Sequence, residues 1–270
     1  MPEPRPLLDL HKPIIGMIHV LPLPGTPAYG GSMAEVIDRA AEEARLYREA
    51  GIDALGVENM HDTPYLRGGV GPEITAAMAT VCGAVKRESG ALPCGVQILA
   101  GANREALAVA LSAGLDFVRV EGFVFAHVGD EGTHESCAGE LLRFRAAIGA
   151  GHVRVLTDIK KKHCAHAITA DVDIAETARA AALFRSDGLV VSGRATGVAT
   201  DVEDVETVAA AVALPVLVGS GVTVENVERY LPRADGLIVG SHFKRDGLWR
   251  NPLDPGRVAA FVDRVGTLRG

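Results

Sequence analysis

Two stretches decide the fold: Pro215-Val-Leu-Val-Gly-Ser-Gly-Val-Thr223 and Gly236-Leu-Ile-Val-Gly-Ser-His-Phe-Lys244. Each is a short apolar run of strand length that stops at Gly-Ser. Because glycine has no Cβ, this step at the end of a parallel strand opens backbone N–H groups to an anion. The loops after the last two strands of a (β/α)8 barrel form its usual phosphate site. The pair therefore predicts such a barrel with a phosphate-binding cup, although tight turns alone would also use these glycines.

The rest of the chain repeats this pattern, with a β-branched run, a polar loop and an Ala-rich amphipathic segment about every 25 to 35 residues. The six earlier predicted strands are Pro13–Val20, Ala54–Asn59, Gly95–Leu99, Phe117–Glu121, Val153–Asp158 and Gly188–Ser192. A length of 270 residues is close to the ~250 of one (β/α)8 domain. We expect an N-terminal extension over residues 1–12 and a single α/β TIM-barrel domain over 13–270. A doubly wound open sheet is the alternative, but its phosphate loop would normally follow the first strand.

Composition and charge narrow the classes of function. The net charge of -7 argues against nucleic acid as a partner. Four cysteines without a CxxC pair predict neither a disulfide framework nor a zinc knuckle, so a reducing, cytoplasmic location is expected. No apolar run approaches the ~18 residues of a spanning helix, and the first six residues resemble neither a signal nor a transit peptide. Membrane association would therefore be peripheral, and a homo-oligomer is expected because barrels often pair.

Polar residues at the carboxyl ends of the strands would meet at one mouth of the barrel. Buried charges are costly unless paired, so packing alone does not explain so many of them. The candidate catalytic residues are Glu58, Glu121, Asp158, Lys160, Lys162 and His163. The candidate substrate-binding residues are His19, Asn59, Gln97, Arg119 and Thr196. The candidate phosphate-binding residues are Gly193, Gly197, Gly219, Ser220, Gly221, Gly240 and Ser241.

The fifth predicted strand has the most chemically suggestive ending. If the strand continues, Asp158, Lys160 and Lys162 point the same way, whereas Lys161 is expected to be solvated. A lysine facing a carboxylate can act as a Schiff-base nucleophile, an acid/base or an oxyanion clamp. Arg119 has a structural alternative, in which it only pairs with Glu58 or Glu121 inside the barrel.

A metal site is the minor alternative at the same mouth. His163, Cys164 and His166 could combine with His19 and Glu121, but no HExxH motif supports them. We therefore expect no cofactor, with a divalent metal as the less favoured case. The long insertion from Gly122 to about Ala138 is expected to be a lid or a binding loop, with His127, His134 and Cys137 lining it.

Several dispersed motifs, in order, resemble the BtpA/SgcQ family. They are Ile15-Gly-Met-Ile-His-Val-Leu-Pro-Leu-Pro-Gly25, Val57-Glu-Asn-Met-His-Asp-Thr-Pro64, Asp158 with Lys162-His163, Ser192-Gly-Arg-Ala-Thr-Gly197, Gly219-Ser-Gly-Val222 and Gly240-Ser-His-Phe-Lys244. The resemblance implies a TIM barrel without a settled reaction. It links cyanobacterial members to photosystem I accumulation and enteric members to sugar-metabolism gene clusters. Gln97 and Ala100-Gly101 depart from the Asn and Arg-Asn of many members, and Asp158–His163 suggests a non-photosynthetic branch.

Two hypotheses about function follow. In the first, the protein is an enzyme that binds a phosphorylated small metabolite, such as a sugar phosphate, a ribose phosphate or a nucleoside-type compound. It works by isomerisation, lyase chemistry or glycosidic cleavage of the nucleosidase kind. In the second, it is a non-catalytic assembly factor for a membrane protein complex, as the resemblance to cyanobacterial members implies. A phosphate cup is compatible with both, because fold does not fix function.

Overall fold

Eight parallel strands close into a barrel in the computed structural model, which describes residues 6–193 and 195–270. The barrel order is β1-β11-β10-β9-β7-β4-β3-β2. The barrel strands are β1 (Ile14–His19), β2 (Ala54–Glu58), β3 (Cys94–Gln97), β4 (Phe117–Val120), β7 (Arg154–Ile159), β9 (Gly188–Val191), β10 (Val216–Val218) and β11 (Gly236–Val239). The prediction of a single (β/α)8 barrel is confirmed, and each predicted strand lies within two residues of an observed one.

The helices alternate with these strands and cover the outside of the barrel. They are α1 (Met33–Glu49), α2 (Pro72–Glu88), α3 (Asn103–Ala113), α4 (Ala138–Ala147), α5 (Ile174–Leu183), α6 (Val202–Ala211), α7 (Val227–Tyr230) and α8 (Pro255–Arg269). Ser32 caps α1 because its side chain accepts the N–H of Glu35. Gly114 ends α3 in the left-handed conformation that glycine tolerates best. Within the described ranges, no helix is both long and apolar enough to cross a membrane.

The interior of the barrel is a small apolar core of its own. Its members come from most of the barrel strands and include Ile15, Met17, Phe117 and Leu156, all at most 5% exposed. Leu7, from the short 3-10 helix Leu7–Asp9, belongs to the same core and is 2% exposed. Residues 1–5 of the predicted extension lie outside the described residues, whereas Leu7 packs into the barrel interior.

The long insertion after β4 folds into a hairpin of β5 (His127–Gly129) and β6 (Gly132–His134). A third strand, β8 (Cys164–Ala165), comes from the segment after β7 and pairs antiparallel with β5. This three-stranded sheet is separate from the barrel. It ties the insertion to the segment that carries the candidate lysines.

A buried ion pair connects the last barrel strand to the first helix. The Nζ of Lys244, just after β11, lies 2.6 Å from Oε2 of Glu43 in α1. The two side chains are 1% and 5% exposed, and burial lowers the pKa of Lys244. Because a buried charge is costly without its partner, removing either residue alone should destabilise the contact between the end of β11 and α1.

We therefore expect Glu43→Leu to lower the free energy of unfolding by about 3–5 kcal/mol, because it leaves the Lys244 ammonium buried and unpaired. Urea unfolding measures this loss. The same substitution at Glu206, whose ion pair with Arg233 is about half exposed, should cost less than about 1 kcal/mol. The double variant Glu43→Leu/Lys244→Met should recover much of the loss. Equal losses at positions 43 and 206 would contradict this account.

Candidate active site at the mouth of the barrel

A cavity of about 140 Å³, here named the cup cavity, lies at the carboxyl ends of β10 and β11. The loops Gly219–Val222 and Gly240–His242 form two of its walls. A Cβ on Gly219 would lie 2.4 Å from Cγ1 of Val190, and one on Gly221 would lie 2.3 Å from the carbonyl oxygen of Val198. Neither position can therefore carry a side chain without moving its neighbours. Gly219 and Gly221 therefore allow close packing on one side of the loop, while the same loop lines the cup cavity.

Backbone donors line part of the cup cavity. The N–H groups of Ser220 and Gly221 have no hydrogen-bond acceptor among residues 6–193 and 195–270. The hydroxyl of Ser220 lies 3.2 Å from the carbonyl oxygen of Val198, so it holds the loop after β9. The cup cavity can thus offer main-chain donors to an anion, in a region where an anion has little steric hindrance.

Other predicted phosphate-binding residues differ in their placement. Gly197, Gly240 and Ser241 line the cup cavity, as does Thr196. Gly193 does not line the cup cavity. A Cβ there would lie 2.4 Å from the carbonyl oxygen of Val198, so glycine at this position lets two parts of the loop after β9 pack closely.

Arg257 was missed by the sequence analysis and also lines the cup cavity. It is the third residue of α8, and its Nε donates to the carbonyl oxygen of His242 at 2.6 Å. The guanidinium supplies the positive charge that suits a phosphate. The sequence did contain a signal for Arg257, because it is a basic residue in the first turn of the helix that follows the last strand. The sequence analysis considered only residues at strand ends.

Glu58 and Lys162 face both the cup cavity and a second cavity beside it. Burial raises the pKa of the Glu58 carboxyl, and burial followed by the charge of Arg119 lowers the pKa of Lys162. Neither side chain makes a hydrogen bond or an ion pair within the described part of the chain. The two pKa values shift toward each other, which suits a carboxylic acid and an amine that exchange protons with a ligand.

Arg119 is held by a bidentate ion pair inside the barrel. Its Nε and one terminal nitrogen donate to the two carboxylate oxygens of Asp158 at 2.7 and 2.8 Å. The structural alternative predicted that Arg119 pairs with Glu58 or Glu121. That prediction is wrong, because the partner of Arg119 is Asp158. Both oxygens of Asp158 bind Arg119, so this carboxylate fixes the position of the guanidinium at the mouth of the barrel.

The segment after β7 departs from the predicted strand continuation. Lys160 has a φ of 46°, so the alternation of side chains stops there. Its Nζ donates to the carbonyl oxygen of Thr169 at 3.0 Å, away from both cavities that Lys162 lines. The expectation that Asp158, Lys160 and Lys162 point the same way is therefore not met.

The same turn brings Lys161 inward. Lys161 is 9% exposed, and its Nζ lies 3.0 Å from Oε2 of Glu121 and 3.5 Å from Oε1 of Glu131. The expectation of a solvated Lys161 is therefore wrong. The lysine ties the hairpin, through Glu131, to the end of β4.

The second cavity, here named the side cavity, has a volume of about 240 Å³. It shares a wall with the cup cavity, made by Glu58, Met60, Arg119, Lys162 and Thr196. The other residues around it are Tyr65, Gln97, Leu99, Ala100, Glu121, Asp130, Glu131, Lys161, His163 and Trp249. The hairpin of the insertion thus contributes one side of this cavity.

The rings of the two candidate histidines, His19 and His163, both make hydrogen bonds. Nδ1 of His19 lies 2.9 Å from the carbonyl oxygen of Trp249, so Nδ1 carries the proton and Nε2 accepts. Burial, followed by the charge of Lys244, lowers the pKa of His19 well below its usual range. Nε2 of His163 accepts the N–H of Thr196 at 3.0 Å.

Asn59 lies outside both cavities. Its amide oxygen accepts the N–H of Leu99 at 2.7 Å, and its amide nitrogen donates to Asp62 at 2.9 Å. The side chain is 1% exposed and fully engaged, so it joins the loops after β2 and β3.

The residues of the minor metal alternative are not brought together. Across residues 6–193 and 195–270, no group of three or more His, Cys, Asp or Glu side chains is placed to hold a metal ion. Two histidines of the insertion, His127 and His134, stack on each other with ring centroids 5.0 Å apart. The ring of His166 is 5.8 Å from that of His127.

Comparison with known sequences identifies relatives along almost the whole chain. The model of the BtpA family matches residues 10–267. A Caenorhabditis elegans protein, uncharacterized and named as mitochondrial, is 46% identical over 97% of this chain and 96% of its own length. The photosystem I biogenesis protein BtpA of Synechocystis is 35% identical over 94% of this chain and 88% of its own length.

Solved structures share the fold at low sequence identity. Phosphoribosyl anthranilate isomerase from Thermus thermophilus has a TM-score of 0.60 at 16% identity, covering 95% of this chain and 100% of the other. Orotidine 5'-phosphate decarboxylase from Pyrococcus horikoshii has a TM-score of 0.58 at 15% identity, covering 95% and 99%. At these identities the likeness establishes a TIM barrel and nothing finer.

The raised pKa of Glu58 predicts a pH-dependent effect of Glu58→Gln on stability. A carboxyl whose pKa is higher in the folded state stabilises the fold only when protonated, and this is lost as pH rises from the unfolded value of about 4.3 through the folded value. Glutamine has no such loss. The variant should therefore gain stability over the wild type at neutral pH and lose that gain in acid.

Urea unfolding in acid and at neutral pH measures this difference. Glu206→Gln, at an exposed glutamate, is the matched control and should show a small effect at both pH values. A Glu58→Gln effect that is the same in acid and at neutral pH would show that burial does not disfavour the Glu58 carboxylate.

Proposed function

This chain belongs to the BtpA family, and from its barrel mouth we propose that it is an enzyme acting on a small phosphorylated metabolite. One observation carries the proposal. Glu58 and Lys162, whose pKa values shift toward each other, lie in the wall between the cup cavity and the side cavity. A ligand anchored by its phosphate would reach these groups with its other end. Binding energy from a non-reacting phosphate can thus be used to position the reacting atoms.

Each part of the mouth has a role in this proposal. The N–H groups of Ser220 and Gly221, with Arg257, hold the phosphate. Lys162 takes a proton from the substrate, and Glu58 gives one to the departing or developing oxygen. The lowered pKa of the lysine and the raised pKa of the carboxyl favour these roles. Arg119 stabilises negative charge on that oxygen. A sugar or ribose phosphate suits this arrangement, and the chemistry is isomerisation, lyase cleavage or glycosidic cleavage.

The fold neighbours are consistent with a phosphorylated ligand. The names of phosphoribosyl anthranilate isomerase and orotidine 5'-phosphate decarboxylase both include a phosphorylated compound. Loops after the last strands of such barrels commonly bind phosphate. We propose the same class of ligand here, in a protein that works in the cytoplasm as a homo-oligomer without nucleic acid. Peripheral contact with a membrane would then require a partner.

Assembly of a membrane protein complex is the second candidate function. It rests on the Synechocystis relative, whose name makes it a photosystem I biogenesis protein. An assembly role would act through the outer surface, and it would not require the juxtaposition of Glu58 and Lys162 with the cup cavity. Removal of the Lys162 amine would then leave function intact, whereas an enzyme would lose turnover.

Phosphate binding in the cup cavity is directly testable with a matched pair of variants. Ribose 5-phosphate at about a hundred times its dissociation constant should stabilise the protein by roughly 2.7 kcal/mol in thermal unfolding. Ser241→Asp should abolish this stabilisation, because Ser241 lines the cup cavity and a carboxylate there would repel the phosphate. Ser241→Ala should retain most of it. Equal stabilisation of both variants would place the phosphate outside the cup cavity.

A further inference from the structure

The side cavity has walls that suit a flat, uncharged group. Met60, Tyr65, Leu99 and Trp249 supply apolar and aromatic surface. The hydroxyl proton of Tyr65 is committed to the carbonyl oxygen of Met60 at 2.7 Å, so the ring is the main surface that Tyr65 offers. Aromatic walls favour planar partners, which stack on them with little loss of conformational freedom.

The hairpin side of the side cavity carries more negative than positive charge, from Glu121, Asp130 and Glu131 against Lys161. Lys161 lies between Glu121 and Glu131, at 3.0 and 3.5 Å from their carboxylates. Glu131 is also 2.7 Å from Nε2 of His134. A second anion on this side would be repelled by the excess negative charge, so the side cavity favours an uncharged ligand.

Gln97 presents a hydrogen-bond acceptor that a ligand in the side cavity could satisfy. It is 3% exposed, and its Nε2 donates to Oε1 of Glu121 at 3.1 Å. This bond fixes the amide orientation, since the reverse would bring two oxygens together. Its Oε1 is buried and has no hydrogen-bond partner among the described residues, although Gln97 lines the side cavity. Buried acceptors are nearly always satisfied, so this oxygen calls for an N–H or O–H donor from a ligand.

We propose that the side cavity binds the base of a ribonucleoside 5'-monophosphate, with a base N–H donating to Oε1 of Gln97. The inference rests on the proposed function, because the phosphate of the same ligand occupies the cup cavity. The ribose then lies at the shared wall, beside Glu58, Arg119 and Lys162. The bond between base and ribose is thereby placed next to the two groups suited to proton transfer.

Size agrees with a ligand of two parts. The cup cavity, about 140 Å³, and the side cavity, about 240 Å³, are each smaller than a usual ligand pocket. Together they fall within the range of about 300–1,000 Å³ that is typical of small-molecule sites. A sugar phosphate alone would leave the aromatic walls and Gln97 unused.

The proposal can be tested by calorimetric titration of the wild type. The ligands are phosphate, ribose 5-phosphate and the 5'-monophosphates of uridine, adenosine and inosine. At least one nucleotide should bind about tenfold or more tightly than ribose 5-phosphate, which corresponds to the contribution of a buried hydrogen bond and ring contacts. Methylation of the donor ring nitrogen, as in 3-methyluridine or 1-methylinosine 5'-monophosphate, should remove the gain for uridine and inosine. If adenosine 5'-monophosphate binds best, its N6-dimethyl form is the matched ligand.

Two variants identify the cavity that holds the base. Gln97→Met keeps the length of the side chain without the acceptor, and Leu99→Trp fills the side cavity. Both should lower nucleotide affinity about tenfold or more while they leave ribose 5-phosphate affinity within about threefold. Ser241→Asp should weaken both ligands. The methylated nucleotides test the same contact on the wild type, so the result does not depend on the folding of either variant.

The outcomes separate the two proposals. If ribose 5-phosphate binds and no nucleotide binds more tightly, the base site is overturned and the proposed function stands. The base site is also overturned if methylation leaves affinity unchanged. If neither phosphate nor any phosphorylated ligand binds, both proposals are overturned.

Discussion

The ion pair between Arg119 and Asp158 is the interaction on which the mouth of the barrel depends. It lies between β4 and β7, and both side chains are at most 7% exposed. The guanidinium faces the wall shared by the two cavities, where its charge lowers the pKa of Lys162 after the effect of burial. The same charge opposes the rise in pKa that burial imposes on Glu58. Without Asp158 the guanidinium would be a buried charge with no ion-pair partner, which is strongly destabilising.

A close approach of backbone segments shapes the other half of the site. Gly219 and Gly221 leave no room for a Cβ, since their neighbours would lie 2.4 and 2.3 Å from it. This packing brings unpartnered N–H groups to the edge of the cup cavity. Arg257 then supplies positive charge from α8, the last element of the chain. The end of the sequence thus completes a site whose proton-transfer groups come from β2 and from the segment after β7.

Periodicity and glycine placement were sufficient to predict the barrel, its strand ends and most residues at its mouth. They could not predict side-chain partners, because partner choice depends on tertiary geometry. Lys160 shows why: a φ of 46° at one residue stopped the strand alternation, so Lys160 turned away and Lys161 turned inward. Asn59 was correctly placed at a strand end, but its amide is consumed by Leu99 and Asp62. Arg257 was missed because it lies on a helix rather than at a strand end.

The central claim is that one phosphorylated ligand occupies the cup cavity and reaches Lys162. Trace acetylation of every lysine across the alkaline pH range, with and without ribose 5-phosphate, tests it most directly. We predict that Lys162 titrates below its ordinary value, as its lowered pKa requires, and that the ligand protects it. Lys160, which donates to Thr169 away from both cavities, should not be protected. Equal protection of the two lysines, or none of Lys162 by a bound ligand, would contradict the account.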